Sequence, residues 1–210
     1  MTEAKVTHWD TAYRDKSEAQ LSWQEAEPAV SLDLIDSIGL SASSSVIDIG
    51  GGTSRLAGAL LAQGLSDVTV LDLSQVALDM ARNSLGQAGE TVTWVCADIT
   101  SWSTDRQYDL WHDRAVFHFL VDASERAAYL DKLANTVRGG HAIIATFALD
   151  GPETCSGLPV ARYSPTDLAG LLGRDFKLLT HRDHRHQTSW GRSQSFQFSL
   201  FQRRPVSVSG

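Results

Sequence analysis

The stretch Val46-Ile47-Asp48-Ile49-Gly50-Gly51-Gly52-Thr53-Ser54 constrains the fold of this chain more than any other. A short apolar run ends in an acid and then in three glycines, which do not continue a strand. Arg55-Leu56-Ala57-Gly58-Ala59-Leu60-Leu61 follows with helical patterning. A strand that stops in a glycine-rich turn and feeds a helix is how α/β folds cradle a nucleotide-like ligand. Glycines in that turn let the backbone approach the ligand closely.

The rest of the chain repeats the alternation. Strands are expected at residues 45–49, 68–71, 92–96, 108–111 and 141–147, with helices at 55–63, 75–85, 115–119 and 124–137. A further helix is expected over 29–38, where Val30, Leu34 and Ile38 recur four apart. Arg138-Gly139-Gly140 supplies the glycine stop of the 124–137 helix. Such alternation implies a mostly parallel sheet with helices on both faces. The tail differs. After a helix at 167–172, with Ser164 or Thr166 as its cap, residues 176–180 and 195–201 read as two strands with no helix between them. They should pair antiparallel. The expectation is an α/β fold with seven strands, mostly parallel, ending in an antiparallel C-terminal strand.

Length and charge narrow the function classes. A chain of 210 residues suits one large α/β domain. A formal net charge of −7 argues against sequence-independent nucleic-acid binding. Cys96 and Cys155 have no paired spacing, so neither a disulfide framework nor a cysteine-based metal site is expected. No apolar run nears the roughly 18 residues of a membrane span. A cytoplasmic location is the expectation.

Acids close the successive strands: Asp48, Asp72 in Leu-Asp-Leu-Ser, Asp98 in Cys-Ala-Asp-Ile, then Asp113 and Arg114. Ligands of open α/β sheets sit beyond these carboxyl ends, so the side chains should converge on one crevice. A carboxylate after the second strand accepts hydrogen bonds from ribose hydroxyls. His118, one helical turn beyond Arg114 if that segment is helical, would share its face. Asp113 and His118 are candidate bases, Arg114, His118 and Cys155 candidate substrate contacts. Cys155 sits in the long loop 150–159 after the fifth strand, where functional loops lie. His181, His184 and His186 cluster near a strand–loop junction, where a solvated arginine-rich loop is a better reading than a metal site.

The series Asp-x-Gly-x-Gly, acid after strand two and Ala-Asp after strand three resembles the class I S-adenosylmethionine-dependent methyltransferases, from about residue 30 to residue 201. Where that family often has a third glycine, this chain has Ser54. The resemblance implies a Rossmann-like fold and S-adenosyl-L-methionine as cofactor. It implies that Asp48, Gly50, Gly51 and Gly52 hold the methionine part, Asp72 the ribose, and Asp98 the adenine amine, with Leu73 and Ile99 flanking the adenine and Asp113 close by. Asp109 to Leu120 is similar to small bacterial methyltransferases and distantly to thiol and thiopurine methyltransferases, which carry Asp-Arg-Gly-Ala there. Trp9, Tyr13 and Trp23 look like an N-terminal cap over the cofactor, their rings suited to a sulfonium cation. The implied organisation is a cap at 1–28, a methyltransferase domain at 29–204 and a disordered tail at 205–210. The implied activity is methyl transfer to a small-molecule nucleophile, a thiol or other soft nucleophile among them, by a monomer without nucleic-acid or membrane partners. The alternative is a protein-lysine methyltransferase.

Overall fold

A computed structural model of the chain describes residues 3–15, 27–53, 55–188 and 191–205. One seven-stranded sheet carries the fold. Its strands are β1 (Ser45–Ile49), β2 (Asp67–Asp72), β3 (Thr93–Cys96), β4 (Leu110–Arg114), β5 (His141–Phe147), β8 (Phe176–Gln187) and β9 (Ser193–Arg203). They lie in the order β3-β2-β1-β4-β5-β9-β8. The first five are parallel, and β9 runs antiparallel to both β5 and β8. The order reverses between β1 and β4, so a crevice opens at their carboxyl ends. A small hairpin, β6 (Thr154–Cys155) with β7 (Leu158–Pro159), follows β5.

Helices cover both faces. Helices α2 (Ala29–Ile38) and α3 (Leu56–Ala62) share one apolar core with Val46, Val68, Leu110, Ile143 and Phe198. On the other face Tyr129 and Leu133 of α5 (Ala123–Thr136) and Leu168 of α6 (Pro165–Leu172) bury Ile47, Trp111, Ile144 and Phe201. Ser164 caps α6: its hydroxyl accepts from the Asp167 amide at 3.1 Å while Asp167 accepts from the Ser164 amide at 2.8 Å. Helix α4 (Gln75–Leu85) follows β2, and α1 (Glu3–Asp15) packs on it through Tyr13, Ala77 and Met80. No helix among the described residues is long and apolar enough to cross a membrane.

Three expectations need correction. The fourth strand spans Leu110–Arg114 rather than 108–111, because Tyr108 gives its amide to Thr136 O and Asp109 ties its carboxylate to the Ser45 amide at 2.8 Å. Asp113 and Arg114 therefore belong to the strand. The segment 115–119 is no helix: Ala115 is left-handed (φ 71°) and only a 3-10 turn, Phe117–Phe119, follows. The histidine cluster lies within β8, which runs on to Gln187 because its ladder with β9 continues to Ser193. His186 is buried edge-on against Phe196.

Candidate functional site

A cavity of about 310 Å³ occupies the crevice at the carboxyl ends of β1, β2, β3 and β4. Asp48, Gly50, Gly51, Asp72, Leu73, Asp98 and Ile99 all line it, so strand polarity alone brings these expected residues together. The glycine turn folds back over β2: the Gly50 and Gly51 amides both point to Leu71 O, at 2.6 and 3.3 Å. Gly50 has φ +66°, and a Cβ there would overlap Val116 Cγ2. Gly52 has φ +46°, and a Cβ there would strike the Tyr13 hydroxyl. Ser54, where a third glycine is common, lies outside the described residues.

The two carboxylates beside this turn are buried. Asp72 accepts from the Ser74 amide at 2.8 Å. Burial pushes its carboxyl up to about 6; the Ser74, Gly52 and Leu73 amides favour its charge, while the Asp48 charge opposes it. Asp48 takes one bond from His112 Nδ1 at 2.7 Å, and its Oδ2 is buried without a hydrogen-bond partner among the described residues. Asp98, on the loop after β3, accepts the Thr100 amide and hydroxyl at 2.9 and 2.7 Å.

Side-chain alternation along β4 separates neighbours that the sequence places together. His112 and Arg114 face α2 and the cavity. Asp113 faces α5, fully buried, where Tyr129 donates to it at 2.5 Å and the Val116 and Phe117 amides at 2.9 and 3.1 Å. Burial pushes the Asp113 carboxyl up to about 6 against those donors. It is not part of the cavity wall. Asp113, expected at the cofactor and among the catalytic groups, is placed instead where it pins the β4–α5 connection. His118, expected as a base and substrate contact, is also placed away from the cavity wall. It is fully buried between the rings of Phe119 and Phe147, at 4.5 and 4.8 Å, and is absent from the cavity wall. Burial, aided by the Arg114 charge, lowers its pKa to about 3. A ring so weakly basic does not serve as a general base at neutral pH.

The cap expectation divides. Trp9 and Tyr13 on α1 line the cavity; Trp23 lies outside the described residues. Helix α1 is fastened at two places. The Ser74 hydroxyl donates to Asp10 at 2.6 Å, and Lys5 pairs with Glu125 of α5. Trp9 meets Phe119 edge-on at 5.2 Å between them. On the far wall stand Arg114, its guanidinium 5.2 Å from the Phe196 ring, and Cys155 with Leu158 and Pro159 of the small hairpin.

Sequence reasoning missed Lys5, Ser31, Arg55 and Phe119, and reads His112 as a residue on or near a buried strand; all five line the cavity. One signal existed for Ser31: a serine on the inward stripe of an apolar helix, buried beside Leu34 and Ile35. His112 could be found only with the strand order, since β4 sits in register against β1 with His112 opposite Asp48.

Residues 46–140 match the family model described as a methyltransferase domain. Among curated proteins, the malonyl-[acyl-carrier protein] O-methyltransferase of Anoxybacillus flavithermus is 31 % identical over 103 residues. That match spans 49 % of this chain and 38 % of the relative, so the chain spans under two fifths of that protein's length. Solved structures share the fold. The S-adenosylmethionine-dependent methyltransferase of Anabaena variabilis superposes with a TM-score of 0.74 at 16 % identity, covering 96 % of this chain and 94 % of that one. The 1,6-didemethyltoxoflavin-N1-methyltransferase of Burkholderia thailandensis, with its namesake and S-adenosylhomocysteine bound, gives 0.69 at 20 % identity and covers 95 % and 88 %. The magnesium protoporphyrin IX methyltransferase of Synechocystis, with S-adenosylhomocysteine bound, gives 0.70 at 16 % and covers 96 % and 98 %.

Proposed function

We propose that this chain, which belongs to the class I S-adenosylmethionine-dependent methyltransferases, transfers a methyl group from S-adenosylmethionine to a small-molecule nucleophile. The observation that carries this reading is the placing of three carboxylates, Asp48, Asp72 and Asp98, on adjacent strand ends around one glycine turn in one cavity. The residues fit such a cofactor: Asp48 Oδ2 is a buried acceptor with no hydrogen-bond partner among the described residues, and the turn has no room for side chains at Gly50 and Gly52. Bound there, S-adenosylmethionine supplies an already activated methyl group.

The chain's own part is binding and alignment. Asp48 with the Gly50–Gly52 backbone holds the methionine part, Asp72 the ribose hydroxyls and Asp98 the adenine amine, while Leu73 and Ile99 pack against the base. Trp9 and Tyr13 close that end and exclude water. Arg114, Cys155 and Phe119 form the wall left for the acceptor. With Asp113 enclosed and His118 held neutral by burial, neither removes a proton from the acceptor. Rate enhancement then comes from orienting two reactants in line, a large effect by itself. Three of the relatives are named for a carrier-bound malonyl group, didemethyltoxoflavin and magnesium protoporphyrin IX, which favours a small acceptor here.

The test is incubation of the full chain with methyl-labelled S-adenosylmethionine and a panel of thiols, amines, carboxylates and phenols. Label in a low-molecular-weight product is expected. Label confined to protein bands of a cell extract would support the protein-lysine alternative instead.

A further inference from the structure

The acceptor end of the cavity is walled by two short elements. One is the turn after β4, which brings Phe119, Leu120 and Val121 to the cavity. The other is the β6–β7 hairpin after β5, which brings Leu158 and Pro159. The Ala161 amide donates to His118 O at 2.8 Å, so turn and hairpin make one surface. Trp9, which closes the donor end, meets Phe119 edge-on at 5.2 Å and marks where that surface begins. A ligand can reach it: Val121 is 43 % exposed, Pro159 is exposed, and Phe119 and Leu158 are half-buried. None of these five wall residues is charged or polar, and the charges nearby are engaged or in solvent. Lys5 pairs with Glu125, and Asp122 is exposed at the start of α5. Arg114 holds its guanidinium 5.2 Å from the Phe196 ring, and its Nε and Nη2 have no exposed surface. A single exposed apolar residue needs no explanation. Five of them, gathered from two elements onto one cavity wall, mark a place where apolar surface of a ligand is buried.

We infer that the methyl acceptor carries an uncharged apolar body, about the size of one aromatic ring, which packs on Phe119, Val121, Leu158 and Pro159. This rests on the S-adenosylmethionine reading and names the class of acceptor for that site. Size follows from the cavity, whose roughly 310 Å³ must hold both donor and acceptor. A ring suits the wall because Phe119 turns an aromatic side chain to it, and ring pairs attract beyond the area they bury. Charge discrimination follows from desolvation. A carboxylate or ammonium laid on this wall leaves water and gains no partner from the five residues. An added methyl group leaves water favourably. Phe119, Val121 and Leu158 therefore determine specificity through contact with the non-reacting part of the acceptor.

Para-substituted benzenethiols, anilines and phenols test this, because nucleophile and body vary separately. Each set carries hydrogen, methyl, ethyl or carboxylate opposite the nucleophile. Turnover with S-adenosylmethionine gives kcat/KM. Titration into protein saturated with S-adenosylhomocysteine gives dissociation constants that need no turnover. In any set that reacts or binds, affinity should rise about fourfold per added carbon, and the carboxylate should bind at least about tenfold more weakly than the methyl compound. Val121→Asp and Leu158→Asp each put a charge on the wall and should weaken the ethyl compound about tenfold. The wild-type ranking decides alone if neither variant folds. Leu149→Asp is the control: that leucine is 59 % exposed and outside the cavity wall, and its loss should leave the ranking unchanged. A carboxylate preferred over the ethyl compound, a flat ranking in the wild type, or a ranking unmoved in both wall variants overturns the inference. So does failure of every compound to bind a protein that does bind S-adenosylhomocysteine. A protein that does not bind S-adenosylhomocysteine refutes the donor reading itself.

Discussion

The two ends of the cavity are built by different means. The proposed donor end is made of residues at or within three positions of the ends of β1, β2 and β3, chiefly acids and glycines. The other end is made of alternation within β4, a left-handed alanine and a short hairpin. At the first end backbone geometry dictates the chemistry, because any parallel strand delivers its terminal side chain to the same edge. At the second end the same edge is furnished by loops, so adjacent residues such as Asp113 and Arg114 separate into core and cavity.

The comparison breaks first if the glycine turn tolerates bulk. Gly50→Ala places a Cβ against Val116 at a positive φ, and should cost about 3 kcal/mol through backbone strain and overpacking. Chemical denaturation reads that loss, and no measurable change would show that the turn is not the close-approach point. The next largest effect belongs to the residue moved out of the site. Asp113→Asn leaves Tyr129 and two amides facing an amide group, and should lower stability by about 2 kcal/mol. Affinity for S-adenosylhomocysteine per folded molecule should be unchanged. A selective loss of affinity or turnover at full stability would return Asp113 to the site.

The donor half was legible in the sequence and the rest was not, for physical reasons. Asp48, Asp72 and Asp98 follow apolar runs directly, so their position at strand ends needs no knowledge of packing. Asp113 and His118 stood in a segment whose propensity suggested strand then helix. The real boundary was set by tertiary bonds, Asp109 to Ser45 and Tyr108 to Thr136, which local pattern does not carry. A shift of the strand by a few residues decided which side chains reached the cavity. The site role of Ser31 and His112 was hidden for a related reason: Ser31 on α2 meets His112 on β4 across 81 positions of sequence.

A gentler probe of the donor half is pH. Asp72 is held near 6 by burial, so the charge that the proposed ribose contact requires is lost below that value. Affinity for S-adenosylhomocysteine should rise about tenfold per unit up to pH 6 and flatten above it. The sign for stability is opposite. The folded state holds this proton more tightly than the unfolded chain, so the Asp72 contribution to ligand-free stability falls as pH rises from 3.8 toward 6. An affinity that falls across that range would remove Asp72 from the ligand contacts. The smallest effect belongs to the acceptor end: Ala115→Gly relieves a left-handed alanine and should raise stability by up to about 1 kcal/mol, visible as a higher melting temperature. An unchanged or lower melting temperature would mean that no strain is stored there.

The central claim is that the strand-end carboxylates constitute a cofactor site independent of the acceptor wall. Calorimetric titration of S-adenosylhomocysteine into wild-type and Asp72→Asn proteins at pH 7.5, with no acceptor present, tests it most directly. One-to-one binding by the wild type, and affinity at least about tenfold weaker in the variant at an unchanged melting temperature, is the expected result. Absence of binding by the wild type, or equal affinity in the two proteins, would contradict it.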